Sequence, residues 1–377
     1  MRVLHIINNL GLGGAETLLY RMAVRDRSNQ HVVVSIGAPE WYSGRLQEKG
    51  IELHHLDMES PSAVPAGMAR LNRIIRDSGA DVVQCWMYRS NLLGGVLAKA
   101  ARKPVVWGIH CSSLEPLRPT SKMLAYISGM VARWNPDYIV NCSTKSAELH
   151  ARLGFSAGRG GVIHNGYDPE AFFPNEKARQ NTRKALGIGP DTFLIGTIAR
   201  WHAQKDIPNL LRAARIAHDD GVPLKCLLIG SGLVADNGEL TDAIDKLACR
   251  DFAVPIGPRP DIDDVARAID LHVLASCGAE AFPNAVAESM LSGTPNAVTD
   301  IGDSALMVGK SGWVSPPKDP ETLAAAIVEA WKEKRDRPSD WEKRRKAARA
   351  QIADNFSLDR MAAAYEAVWR DVIERRR

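Results

Sequence analysis

Two cations, Arg200 and Lys205, stand five residues apart just beyond a β-branched run at 193–197. Arginine presents a rigid fork of donors and lysine a mobile point charge, so the pair can clamp a diphosphate. Two carboxylates, Glu280 and Glu288, are spaced eight residues apart, the first in a loop after the run 271–275 and the second inside the helical stretch that follows. That spacing lets them meet different parts of one ligand, Glu280 a sugar and Glu288 ribose hydroxyls, while the helix amino terminus faces phosphate. A third group, Gly11-Leu12-Gly13-Gly14-Ala15-Glu16, follows the first apolar run. Its glycines allow backbone N–H groups to approach an anion, and a helix amino terminus adds roughly half a positive charge. A dinucleotide fingerprint would need glycine where Glu16 stands and an acidic residue after the second strand, which ends at Ser35-Ile36-Gly37, so no nicotinamide cofactor is expected.

These groups need rigid strands to hold them. Strand-like runs at 3–7, 31–36, 82–85, 105–109 and 138–142 alternate with helical patterns at 15–23, 66–77 and 91–101. Such alternation makes a parallel sheet covered by helices on both faces. The pattern restarts after the turn-rich loop His164-Asn165-Gly166-Tyr167-Asp168-Pro169, with strands at 193–197, 225–229, 271–275 and 296–299. The expectation is an α/β chain of two Rossmann-like domains, 1–168 and 169–355, with a final helix in 356–377 returning to the first. Ligands of open α/β sheets sit beyond the carboxyl ends of the strands, so two facing sheets would share one central cleft.

Composition narrows the partners. A chain of 377 residues with 45% hydrophobic and 24% charged residues has enough apolar side chains for two globular cores. Six scattered cysteines, with neither C-x-x-C nor metal-ligand spacing, read as reduced thiols of a cytoplasmic protein. The opening apolar run is too short for a signal peptide, and no stretch approaches the roughly 20 residues that span a bilayer, so any membrane contact is expected to be peripheral. A net charge of +4 without an aromatic-interleaved basic stripe argues against nucleic acid.

The string Glu280-Ala-Phe282-Pro283-Asn284-Ala-Val-Ala-Glu288, followed by Gly293-Thr-Pro295 and Thr299-Asp300-Ile-Gly302, resembles the E-x7-E signature of glycosyltransferase family 4, the large retaining group of GT-B fold. The Gly11 to Glu16 turn, the Asn165-Gly166-Tyr-Asp168 hinge, Arg200 with Lys205, and Gly230-Ser-Gly232 resemble the same family in the same order, over nearly the whole chain. The resemblance implies a hexosyl transfer from a nucleotide sugar, with a UDP-sugar as default, to a hydroxyl of a glycan or lipid-linked acceptor in cell-surface glycan synthesis. It implies catalytic roles for Glu280, Arg200, Lys205 and His110, the last at the end of the run 105–109 and beside the donor sugar. It implies donor contacts from Gly13, Gly14, Arg200, Lys205, Gly230, Phe282, Pro283, Asn284 and Glu288. It implies neither metal nor cofactor, the acceptor on the first domain and the donor on the second. A sugar-nucleotide epimerase or a catalytically silent nucleotide-sugar-binding protein would be the alternatives.

Three departures from the family pattern bear on donor geometry: Ala281, Asp206 and Asp303 each stand where glycine is common. Asp261-Ile262-Asp263 reads as the start of a helix rather than a cation site, because acidic residues favour that end of the dipole. Large apolar residues from Met123 through Ile127, Met130 and Trp134 recur at helical spacing between Lys122 and Arg133, a face able to cover the sheet, rest on the inner membrane or grip a lipid-linked acceptor. The basic runs Lys343 to Lys346 and Arg375 to Arg377 have acidic neighbours and read as solvated helix faces.

Overall fold

The computed structural model describes residues 1–114, 118–155, 159–278 and 280–376; position 377 of the terminal basic run lies outside them. The chain divides into two compact units, Met1–Gly166 together with the chain from Leu358 onward, and Tyr167–Ser357. The first contains β1 (Arg2–Ile7), α1 (Gly14–Arg25), β2 (Gln30–Ser35), α2 (Trp41–Glu48), β3 (Glu52–His55), α3 (Val64–Asp77), β4 (Val82–Trp86), α4 (Met87–Ala100), β5 (Val105–Ile109), α5 (Pro119–Val131), β6 (Tyr138–Asn141), α6 (Thr144–Arg152) and β7 (Gly160–Val162). All its strand pairs are parallel, in the order β3-β2-β1-β4-β5-β6-β7.

The second unit runs α7 (Glu176–Ala185), β8 (Phe193–Ile198), α8 (Ile207–Asp219), β9 (Leu224–Ile229), α9 (Gly238–Lys246), β10 (Ala253–Gly257), α10 (Ile262–Ala268), β11 (Leu271–Leu274), α11 (Asn284–Leu291), β12 (Asn296–Thr299), α12 (Ser304–Val308), β13 (Trp313–Ser315), α13 (Pro320–Asp336) and α14 (Pro338–Asn355). Its strands are parallel in the order β10-β9-β8-β11-β12-β13. The last helix, α15 (Leu358–Glu374), belongs to the first unit.

The period of two along each strand divides its side chains between two cores. In β1, Leu4 and Ile6 join a core with Val83, Cys85, Trp107 and the inward residues of α3 and α4, whereas Val3 and Ile7 join one made with α1, α2 and α15. Because both sheet faces are covered, the central strands are apolar almost throughout, which makes them legible as runs. The short β3, β7 and β13 lie at or beside sheet edges, and the sequences ELHH, GGV and WVS carry no such run.

The acidic triplet helps open α10 as a helix start: Asp261 is its amino-terminal cap position, held bidentately by Arg259 at 2.8 and 2.7 Å, while Asp263 pairs with Arg267 at 2.8 Å. In the basic run of α14, Lys343 pairs with Asp340, Arg344 with Glu333 and Arg345 with Glu342. All six cysteines are free thiols. No described helix is long and apolar enough to cross a membrane.

Candidate active site

In the second unit three loops at the carboxyl ends of neighbouring strands are stitched together. After β8, the Ala199 N–H donates to Ile229 O at 2.8 Å and the Trp201 N–H to Ser231 O at 2.7 Å, which lays this loop along the turn after β9. That contact needs glycine at 230, where φ is +131° and a Cβ would overlap the Ala199 carbonyl. Trp201 is tied further by its indole N–H to Glu239 at 2.8 Å. A short helical turn, Ala203–Lys205, then leads into α8 through Asp206.

Asp206 adopts φ +44°, the left-handed region that glycine enters without strain, and its carboxylate accepts the Asn209 N–H at 3.3 Å. The aspartate at a position where the family commonly has glycine therefore accepts backbone strain and contributes a helix cap in return.

The turn Ala203–Lys205 is joined to the loop after β11, since the Cys277 N–H donates to Gln204 O at 2.9 Å. Across that seam the Lys205 ammonium forms an ion pair with the Glu280 carboxylate, whose Oε1 also accepts the Ser276 hydroxyl at 2.7 Å. Glu280 is only 7% exposed, so it is buried together with its partners. On its far side Gly302, at φ +61°, lies so close that a Cβ there would overlap the Glu280 carbonyl, and the Asp303 N–H donates to Ala281 O at 3.1 Å.

Phe282 is buried and stacks on Tyr167, whose hydroxyl donates to Asn284 Oδ1 at 3.0 Å. Pro283 occupies the cap position of α11, and Glu288 lies half-buried within it. Arg200, in contrast, is exposed and has no ion-pair partner among the described residues.

Beneath these loops His272 is fully buried. It accepts the Ile198 N–H at 3.3 Å through Nε2 and is bonded through Nδ1 to Asn296 Oδ1 at 2.5 Å. Burial holds its imidazole down at about 4, and the nearby Lys205 charge acts in the same direction, so it is a neutral strut between β8, β11 and β12.

The first unit carries two further groups singled out by sequence. In the glycine-rich turn the Gly13 carbonyl accepts the N–H and hydroxyl of Thr17 at 3.0 and 2.7 Å. The Glu16 carboxylate folds onto Gly13 and that of Glu40 onto Gly11; burial, reinforced by Glu40, raises the Glu16 carboxyl above its ordinary range. Gly14 begins α1 with open space above its Cα.

His110, directly after β5, stacks on Trp86 with ring centroids 5.1 Å apart. Burial holds its imidazole at about 4, and Asn165 approaches the ring without closing a hydrogen bond of ordinary geometry, so both ring nitrogens are buried and unpartnered among the described residues.

Trp86 is itself fixed by a chain that sequence reading does not reveal. Its indole N–H donates to His5 Nδ1 at 3.2 Å, which obliges His5 Nε2 to donate to His31 Nδ1 at 2.9 Å and His31 Nε2 to donate to Asp26 at 3.2 Å. Both histidines are held neutral by burial. Only the parallel register, which brings His5 beside Gln84 and Val3 beside His31, puts these side chains on one sheet face.

Comparison with known proteins places this geometry. The pattern described as Glycosyltransferase Family 4 matches residues 12–171, and that described as Glycosyl transferases group 1 matches residues 192–333, together spanning both units. The chain belongs to the family 4 glycosyltransferases. This glycosyltransferase is similar to EpsF of Bacillus subtilis, a protein named as a glycosyltransferase, with 24% identity over 310 residues covering 79% of each chain. It is 30% identical to the D-inositol 3-phosphate glycosyltransferase of Corynebacterium urealyticum over 200 residues, covering 50% of this chain and 47% of that one.

Among solved structures, HepE of Anabaena in complex with UDP superposes with a TM-score of 0.86 at 20% identity, covering 98% of this chain and all of that one. HepE in complex with UDP-glucose gives a TM-score of 0.82. The glycosyltransferase therefore has the GT-B fold of two Rossmann-like domains.

Proposed function

We propose that this glycosyltransferase moves a hexosyl unit from a UDP-sugar to a hydroxyl acceptor with retention at the anomeric carbon, the protein's own cations rather than a metal taking up the leaving charge. The observation that carries this reading is the Arg200, Lys205, Ser276 and Glu280 cluster. In it Lys205 spends one of its three N–H donors on a buried carboxylate and has the others for an anion, and the same loop after β8 carries Arg200 exposed. The complexes of HepE with UDP and with UDP-glucose support the choice of donor.

In this reading the second unit binds the donor. Arg200 and Lys205 meet the diphosphate, Glu280 the sugar and Glu288 the ribose, while Gly230, Phe282, Pro283 and Asn284 shape the floor. Gly13 and Gly14 of the first unit are donor-binding residues in this reading, and His110 is a catalytic one. The neutral His110, with both nitrogens unpartnered among the described residues, can exchange a hydrogen bond with a hydroxyl without bringing a charge.

As the bond from the anomeric carbon to phosphate oxygen breaks, a bond to the acceptor oxygen forms on the same face. The acceptor proton passes to the departing phosphate oxygen, and a nucleoside diphosphate leaves. Stabilising that anion is the dominant electrostatic contribution. The acceptor is a glycan or lipid-linked intermediate of cell-surface glycan synthesis, handled at the cytoplasmic face of the inner membrane.

The test is a panel of UDP-, GDP-, ADP- and dTDP-sugars, scored by thermal stabilisation and slow nucleotide release with and without a chelator. A donor at about 100 times its dissociation constant adds roughly 2.7 kcal/mol of stability. Stabilisation and release with the UDP-sugar alone, unchanged by the chelator, is the expected result. Binding without release on any acceptor would favour a silent nucleotide-sugar binder, and conversion of the donor sugar without transfer an epimerase.

A further inference from the structure

Helix α5 of the first unit buries its small residues and exposes its large ones. Ala125, Ser128 and Gly129 are its buried positions, and Ala132 just past its end is 1% exposed. The packing is closest at Gly129, where a Cβ would overlap the Leu153 carbonyl. Outward, Met123 and Tyr126 are each 56% exposed, Met130 66% and Trp134 61%. Positions spaced three and four apart share one helix face, so these side chains form a continuous apolar stripe. A helix facing water ordinarily has the opposite arrangement, and an exposed stripe of this size marks contact with something less polar than water.

The charges say what that is. Between 118 and 136 the sequence holds Arg118, Lys122 and Arg133 and no Asp or Glu. None of the three cations has an ion-pair partner among the described residues. A second copy of the chain seated symmetrically on this face would set cations against cations, because a two-fold contact brings the same patch to itself. A surface of anionic lipid meets both features. Trp and Tyr are at home at the headgroup boundary, methionines enter the acyl region, and lysine and arginine reach the phosphates.

We propose that α5 seats this protein on an anionic bilayer, the helix lying in the plane of the interface with Met123 and Met130 inserted and Lys122 and Arg133 on lipid phosphates. This adds a surface to the peripheral location proposed above and is independent of the donor chemistry. The experiment is co-sedimentation of the full chain with vesicles of phosphatidylcholine and phosphatidylglycerol in roughly equal parts, and with vesicles of phosphatidylcholine alone.

The wild type is expected to bind the mixed vesicles, more weakly in high salt, and to bind the neutral ones poorly. The double variant Met130→Ser, Trp134→Ser should bind at least about tenfold less, since each deletes a large apolar contact. Lys122→Gln with Arg133→Gln should lose the preference for mixed vesicles. Both variants should keep the wild-type melting temperature and rate of nucleotide release without vesicles, which separates failure of this face from failure of the donor reading. The proposal is overturned if the wild type ignores mixed vesicles, if the serine variant binds them as well as wild type, or if that variant instead dissociates a dimer seen by sedimentation velocity.

Discussion

Lys205 and Arg200 look equivalent in sequence and differ in structure, and the difference is measurable. Removing Lys205 takes an ion-pair cation away from a buried carboxylate, so Lys205→Ala should lower stability by about 1–3 kcal/mol as well as cutting donor turnover by about a hundredfold or more. Arg200 is exposed and unpaired among the described residues, so Arg200→Ala should lose turnover while leaving the melting temperature within a degree or so. Paired melting curves and nucleotide-release assays check both; equal melting temperatures for the two variants would contradict the buried-pair account. Asp206 offers a backbone test. Asp206→Gly exchanges a cap for relief of the left-handed strain and should change stability by less than about 1 kcal/mol, whereas Asp206→Ala loses the cap and keeps the strain, costing about 1–2 kcal/mol.

At the scale of elements, α15 shows how a distant segment completes a sheet. Leu358, Met361, Tyr365, Trp369 and Val372 recur at helical spacing and are buried against the first unit. The Trp369 indole N–H donates to Gln84 Oε1 at 3.0 Å, and its ring meets the edges of His5 and His31. Trp369→Phe keeps the apolar volume but leaves the buried Gln84 oxygen without that donor, an expected cost of about 1–3 kcal/mol by denaturant titration. A cost near zero would mean that Gln84 finds another donor. The apolar period of α15 is readable in sequence, but the sheet it covers is not, because a helical stripe states that a face is buried and not against what. The edge strands β3, β7 and β13 escape for the converse reason: half-covered short strands need no apolar run.

For the molecule as a whole, buried neutral histidines set the acid limit. His150 and His272 are held at about 4 by burial, against 6.5 when unfolded. The unfolded chain thus binds more protons below 6.5, so the stability these residues contribute is present above that pH and lost as pH falls toward 4, by up to about 1.4 kcal/mol per pH unit for each. Melting temperature should accordingly be flat above pH 6.5 and fall steeply below it; replacing His272 by Asn should flatten part of that fall, and an unchanged profile would refute the assignment.

Sequence alone determined the repeating α/β units, the family and the loops that carry Arg200, Lys205, Glu280 and Glu288, because apolar period, glycine placement and charge at strand ends are local properties written in consecutive residues. Tertiary structure alone decided that Lys205 pairs with Glu280 while Arg200 stays open, that Trp86 rests on a His5, His31 and Asp26 chain, and that α5 turns its large side chains outward. Those facts depend on strand register and on which helix face meets the sheet, and residues 5 and 31, or 205 and 280, become neighbours only when the chain closes on itself.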